Sequence, residues 1–186
     1  MNNWTKDKKW SDLYMQHVKA ILGQLLIVEA SMAEDQLRNT DLIVLMAATK
    51  RIAVRIRRPE YVRDYRNDIT IRLNRPGGTK TEFRKIIDGW GDLFLYGIAA
   101  RENIRLTCWT VLDLEIFRQW IRMPSEKRGK LPCEHHENED GSSEFLAFDW
   151  RDFPEGVVVV RRDEAESVAI VREESGVGML PGIVWR

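Results

Sequence analysis

Two runs in the first third of the chain, Asp41-Leu42-Ile43-Val44-Leu45-Met46 and Arg51-Ile52-Ala53-Val54-Arg55-Ile56-Arg57-Arg58, decide how the fold is read. The first is an apolar strand with a lone acid at its start. In the second, alternation sets Ile52, Val54 and Ile56 on one face and Arg51, Arg55 and Arg57 on the other, the period of a half-buried strand. The short turn between them predicts neighbouring strands. Asp68-Ile69-Thr70-Ile71-Arg72-Leu73 reads as a third, with Thr70 and Arg72 on its polar face.

Working outward, Ser11 to Leu22 carries Tyr14, Val18, Ile21 and Leu22 at helical spacing, with Ser11 as N-cap, Asp12 in the first turn and Gly23 as the stop. Leu25 to Ala30 reads as a short buried strand, with the same helix continued as the alternative. Pro76-Gly77-Gly78 breaks the chain before a helix capped by Thr79 or Thr81 and running to Asp88, whose Phe83, Ile86 and Ile87 face inward. Gly89-Trp90-Gly91-Asp92 is a tight turn into an apolar strand from Asp92 to Ile98. Ile104 to Leu112 is another strand, and Leu114 to Met123 an amphipathic helix. This order implies an α/β domain with a mixed central sheet flanked by helices. A polar connection from Pro124 to Ser143 marks the one internal boundary. It separates a core over residues 1–123 from a C-terminal extension of short strands over 124–186, packed on the same domain: Phe145–Phe148, Val157–Arg161 and Val168–Arg172, the last two a hairpin.

With 29 basic and 29 acidic side chains, the chain is not a uniformly basic nucleic-acid binder, but its charge is segregated. Lys50 to Lys85 holds twelve Lys or Arg against Glu60, Asp64, Asp68 and Glu82. Cys133 to Glu174 holds thirteen acids against Arg151, Arg161, Arg162 and Arg172. Either the acidic segment folds back on the basic one, or the basic one meets an anionic partner. Arg55, Arg57 and Arg72, with Thr70 among them, would form a phosphate-binding surface for DNA or RNA, or a surface for a protein partner. Two cysteines outside any Cys-x-x-Cys pair, no signal-peptide pattern and no membrane-length apolar run predict a reduced, cytoplasmic, soluble protein without membrane contact. Cys133-Glu134-His135-His136 is an incomplete zinc set, with His17 and Cys108 as the other residues of those types, and reads better as a polar loop. Trp90 reads as a packing residue, with base stacking as the alternative.

The element order from Ser11 to Ile98, with Thr40-Asp41-Leu42-Ile43-Val44-Leu45 as an Asp strand, resembles the restriction-endonuclease-like core of the PD-(D/E)XK nucleases. That resemblance implies a Mg2+-dependent nuclease in which Asp41 and a second acid bind the metal and a lysine holds phosphate or water. The pattern departs where the family has acid-x-Lys, because this chain has Arg55-Ile56-Arg57, and arginine cannot ligate a cation. A relocated site would use Asp41 and Glu82 for the metal with Lys85 beside them, and Glu29, Glu34, Asp35 or Asp68 as substitutes for Glu82. Glu82 and Lys85, one helical turn apart, are equally spaced for a surface ion pair. The resemblance therefore carries two expectations: a binding protein on a nuclease-like scaffold that no longer cuts, and an endonuclease with relocated acids. Small size and the degenerate motif also suit a phage or prophage accessory protein working through protein contacts.

Overall fold

The computed structural model describes residues 3–29, 42–44, 50–75, 80–138, 140–163 and 168–170. It is an α/β structure with a mixed sheet and a second, antiparallel sheet, flanked by helices.

Helices α1 (Asn3–Asp12) and α2 (Met15–Leu26) open the chain. Ser11 is not the expected N-cap. It lies in the last turn of α1, where its hydroxyl donates back to the Lys8 carbonyl at 3.0 Å, and α2 starts four residues later. Gly23 does not stop α2 either. A single interior glycine costs about 1 kcal/mol, and Tyr14, Val18 and Ile21 are buried against the mixed sheet, which holds the helix through that point.

The strand β1 (Ile27–Glu29) pairs antiparallel with β2 (Leu42–Val44), Ile27 opposite Val44, in a sheet of two. This corrects the expectation that the strand starting at Asp41 neighbours the one starting at Arg51. Apolar alternation identifies a strand but does not choose its partner, and β1 takes that place. Asp41, Glu34 and Asp35 lie outside the described residues.

The mixed sheet has the order β10-β9-β6-β5-β3. Its strands are β3 (Ile52–Arg57), β5 (Leu93–Ala99), β6 (Leu106–Asp113), β9 (Val158–Asp163) and β10 (Val168–Ile170). β3 runs parallel to β5, with Ile52 opposite Leu93, and every other pairing is antiparallel. The antiparallel sheet has the order β4-β8-β7, built from β4 (Asp68–Asn74), β8 (Glu144–Asp149) and β7 (Glu134–Glu137). The strands after the polar connection thus enter the same two sheets: β8 pairs with β4 and β9 with β6. The hairpin expected near Asp163 is the β9–β10 pair.

Each face of the mixed sheet has its own core. Leu95, Ala99, Leu106, Trp109, Val111 and Val160 pack with α2, and Ile52, Val54 and Ile56 join them. Phe94, Tyr96, Leu112 and Val158 pack on the other side with Ile69, Ile71 and Phe148 of the antiparallel sheet. There they meet α3 (Glu82–Ile87) through Ile86, and α4 (Leu114–Arg122) through Phe117 and Trp120. Asp113 caps α4 by accepting from the Glu115 and Ile116 amides at 2.8 and 3.0 Å. A short helix, α5 (Ser125–Arg128), leads into β7. Among the described residues no helix is long and apolar enough to cross a membrane.

Candidate nucleic-acid interface

The arginine face of β3 is as the alternation predicts, but it points into the seam between the two sheets rather than straight into solvent. β3 and β4 are edge strands of different sheets, and α3 closes the seam between them. The start of α3 is latched to the β4 edge. Thr81 donates its hydroxyl to the Leu73 carbonyl at 2.9 Å, and the Arg72 amide donates to Glu82 Oε2 at 3.2 Å, which satisfies edge groups that would otherwise be open to pairing. Glu82 Oε2 also accepts from Arg55 Nη1 at 2.6 Å, and both side chains are partly exposed.

Arg72 stands beside this pair. Burial first, then the Arg55 guanidinium, press its pKa below the ordinary arginine value; Glu82 acts the other way, and Arg75 adds to the downward push. All three arginines keep their charge, since arginine stays protonated in proteins. Asp7 of α1 also acts on Arg72 and pairs with Arg58 at 3.4 Å. Three arginines, Arg55, Arg72 and Arg75, therefore gather around one carboxylate, Glu82, an excess of two positive charges on a half-buried rim, while Asp7 has its own partner in Arg58.

Arg57 is a different case and corrects its assignment to the binding surface. Its guanidinium lies 3.7 Å from the centroid of the Tyr61 ring and 5.9 Å from that of Tyr65, and it reaches Thr70 Oγ at 3.5 Å and the Tyr96 hydroxyl at 3.4 Å. Thr70, only 2% exposed, shares a 3.0 Å hydrogen bond with Tyr96. Arg57 and Thr70 thus join the sheets internally. The enclosing residues come from the β3–β4 connection, where Pro59–Val62 forms a 3₁₀ turn that folds back over the end of β3.

Sequence reading missed the continuation of this polar seam. Tyr96, Thr110 and Arg161 lie opposite one another across β5, β6 and β9. Arg161 and Asp163, each 2% exposed, form an ion pair at 3.1 Å. Arg161 also sits over the Trp150 ring, 4.7 Å from its centroid, and Arg66 contacts Asp163 at 3.5 Å. Asn67 accepts from Trp150 Nε1 at 3.1 Å and from Arg161 at 3.4 Å. The signal available in the sequence was an arginine and an aspartate ending the apolar run Val157–Val160, a polar tip on a buried strand. Arg66–Asp163 is also the one ion pair that joins the basic and acidic stretches among the described residues.

Outside the seam, an open cleft of about 540 Å³ is lined by Arg63, Arg66 and Arg151 together with Asp64, Asp68 and Asp149. Its arginines are paired: Arg63 with Asp64 at 3.7 Å, Arg66 with Asp163, and Arg151 with Asp149. Little charge is left there for a ligand.

Of the expected magnesium ligands, Asp41 lies outside the described residues and Glu82 is hydrogen-bonded. Its Oε2 faces a guanidinium and an amide, and Lys85 sits on the exposed side of α3. Among the described residues no three His, Cys, Asp or Glu side chains converge as metal ligands. His135 and His136 are not on a loop but on the edge strand β7, where successive side chains point to opposite faces. His135 pairs with Glu144 at 3.0 Å, while His136 pairs with Glu134 at 2.9 Å and stacks on Phe145.

Compared with protein-family models, curated proteins and solved structures, the chain matches none.

Proposed function

We propose that the protein binds nucleic acid, without cutting it, through the arginine rim at the β3–β4–α3 seam. The observation that carries this reading is the surplus of positive charge at Arg72: a half-buried guanidinium beside Arg55 and Arg75, with Glu82 as the carboxylate hydrogen-bonded among them. Crowding like charges on a partly desolvated rim opposes folding unless an anion completes it, and forked guanidiniums match phosphate. Of the expected nuclease-like order, the part in keeping with this reading is the parallel pairing of β3 and β5 across a connection that carries β4 and α3. Non-cutting is supported by Glu82, one of whose oxygens, Oε2, is committed to Arg55 and to the Arg72 amide.

The test is binding of a labelled oligonucleotide over about 50 to 200 mM salt, where each phosphate contact contributes about 0.7 to the logarithmic slope on a single strand. Arg72→Ala with Arg75→Ala should lower affinity and flatten the slope by about 1.4, leaving the fold intact. Salt-independent binding, or none, would remove the reading.

A further inference from the structure

Trp90 is 63% exposed, yet the turn that carries it is held by hydrogen bonds from several sides. Gly89 and Gly91 flank it at φ of 92° and 80°, a backbone that side chains disfavour, so the turn can present only the residue between them. The Trp90 amide donates to the Lys85 carbonyl at 3.0 Å and that of Asp92 to the Arg51 carbonyl at 2.8 Å. From α4 beneath, the buried Arg118 donates to the Gly91 carbonyl at 3.0 Å and Arg122 to the Ile87 carbonyl at 2.6 Å. Exposed hydrophobics scattered singly need no explanation. Trp90 differs in standing on a clamped turn whose backbone neighbours are the exposed cations Arg51 and Lys85, with Arg122 bonded to the same helix end.

The position is continuous with the arginine rim. α3 begins at Glu82, inside the rim, and the turn holding Trp90 follows its last residue. A six-residue helix spans ~9 Å, so the ring and the rim are within reach of one short strand. An exposed aromatic ring on a held turn, with the exposed Arg51 and Lys85 as its backbone neighbours and one short helix away from the arginine rim, suits an unpaired base whose backbone runs along α3. In a duplex both faces of each base are already covered by stacking.

We propose that Trp90 is a stacking platform for an unpaired base, and that the ligand is therefore single-stranded nucleic acid. This rests on the nucleic-acid reading above and deepens it. Arg118 and the two glycines fix the backbone that carries the ring, so presenting it costs no ordering of the turn.

The experiment measures affinity for three probes of equal length: a single-stranded oligothymidylate, the same sugar-phosphate backbone without bases, and a duplex. Trp90→Ala should weaken oligothymidylate binding about tenfold or more, leave the abasic backbone and the duplex unchanged, and be largely rescued in Trp90→Phe. Because the side chain is exposed, both variants should unfold at the parent's midpoint. If all three probes bind with a salt-dependent affinity that Trp90→Ala does not alter, the stacking inference falls while the rim reading stands. Binding of none of the probes overturns both.

Discussion

Arg55 and Arg57 sit two residues apart on the same face of the same strand, and the structure gives them opposite fates. Arg57 is enclosed by Tyr61, Tyr65, Thr70 and Tyr96, a charge spent on holding two sheets together. Arg55 stands at the rim with Glu82 and Arg72, where solvent and ligands can reach the group. Alternation assigns a side chain to a face, whereas the chain that folds over that face decides whether it stays open. Here the decision is made by the 3₁₀ turn after β3, which covers one end of the arginine row and leaves the other.

The comparison breaks most decisively in the interior. Asp163→Ala strips the partner from Arg161, itself 2% exposed, and removing one member of a buried pair typically costs about 3–5 kcal/mol. Arg57→Ala should cost less, about 1–3 kcal/mol, from lost charged hydrogen bonds and ring contacts. Urea denaturation measures both. Neither should change the salt slope of oligonucleotide binding. An Arg57→Ala protein that keeps its stability but loses salt dependence would erase the distinction between the two arginines.

How much of this was legible in the sequence follows the same line. The strands at Asp92–Ile98 and Ile104–Leu112, the helix at Leu114 and the short helix before Asp88 all carry a clear period, and each is present with ends shifted by a residue or two. The arginine face of β3 was legible for the same reason. The β9–β10 hairpin was legible too, but the partner of β2 was not, because apolar alternation marks a strand without choosing its neighbour. Nor was the buried polar seam. Arg161 and Asp163 look like surface residues until β9 is known to pair with β6, which places them opposite Thr110 and Cys108 between the sheets. Cys108 shows the same effect: burial first, then the nearby Asp163, push its thiol up to about 11.

A smaller effect sharpens the rim itself. Glu82→Gln removes the carboxylate shared by Arg55 and the Arg72 amide but keeps an acceptor in place. Freed of its counter-charge, the rim should bind a single-stranded oligonucleotide about two- to fivefold more tightly at low salt, with the gain fading as salt screens it. Stability should fall by no more than about 1 kcal/mol, because the pair is partly exposed. Loss of affinity instead, together with loss of a magnesium-dependent cleavage present in the parent, would make Glu82 a metal ligand after all. The relocated-acid nuclease would then replace the binding reading.

The mildest prediction concerns Asp68, at the cleft rather than the rim. It lies directly opposite Asp149 across the β4–β8 ladder, and its pKa is raised, by burial first, then by Asp149 and Glu134. A carboxyl whose folded-state pKa lies above its unfolded value prefers its proton in the folded state. Asp68 thus opposes folding at neutral pH, and that penalty is relieved as pH falls through the folded pKa and then the unfolded one. Asp149 behaves oppositely, its pKa lowered chiefly by hydrogen bonding to Arg151, so it favours folding at neutral pH and loses that contribution in acid. Asp68→Asn should therefore raise the unfolding midpoint modestly at pH 7 and lose its advantage in acid, near and below the ordinary aspartate range. It should leave oligonucleotide affinity unchanged, since the cleft arginines are already paired. A clear change in affinity with Asp68→Asn would move the interface from the arginine rim to the cleft.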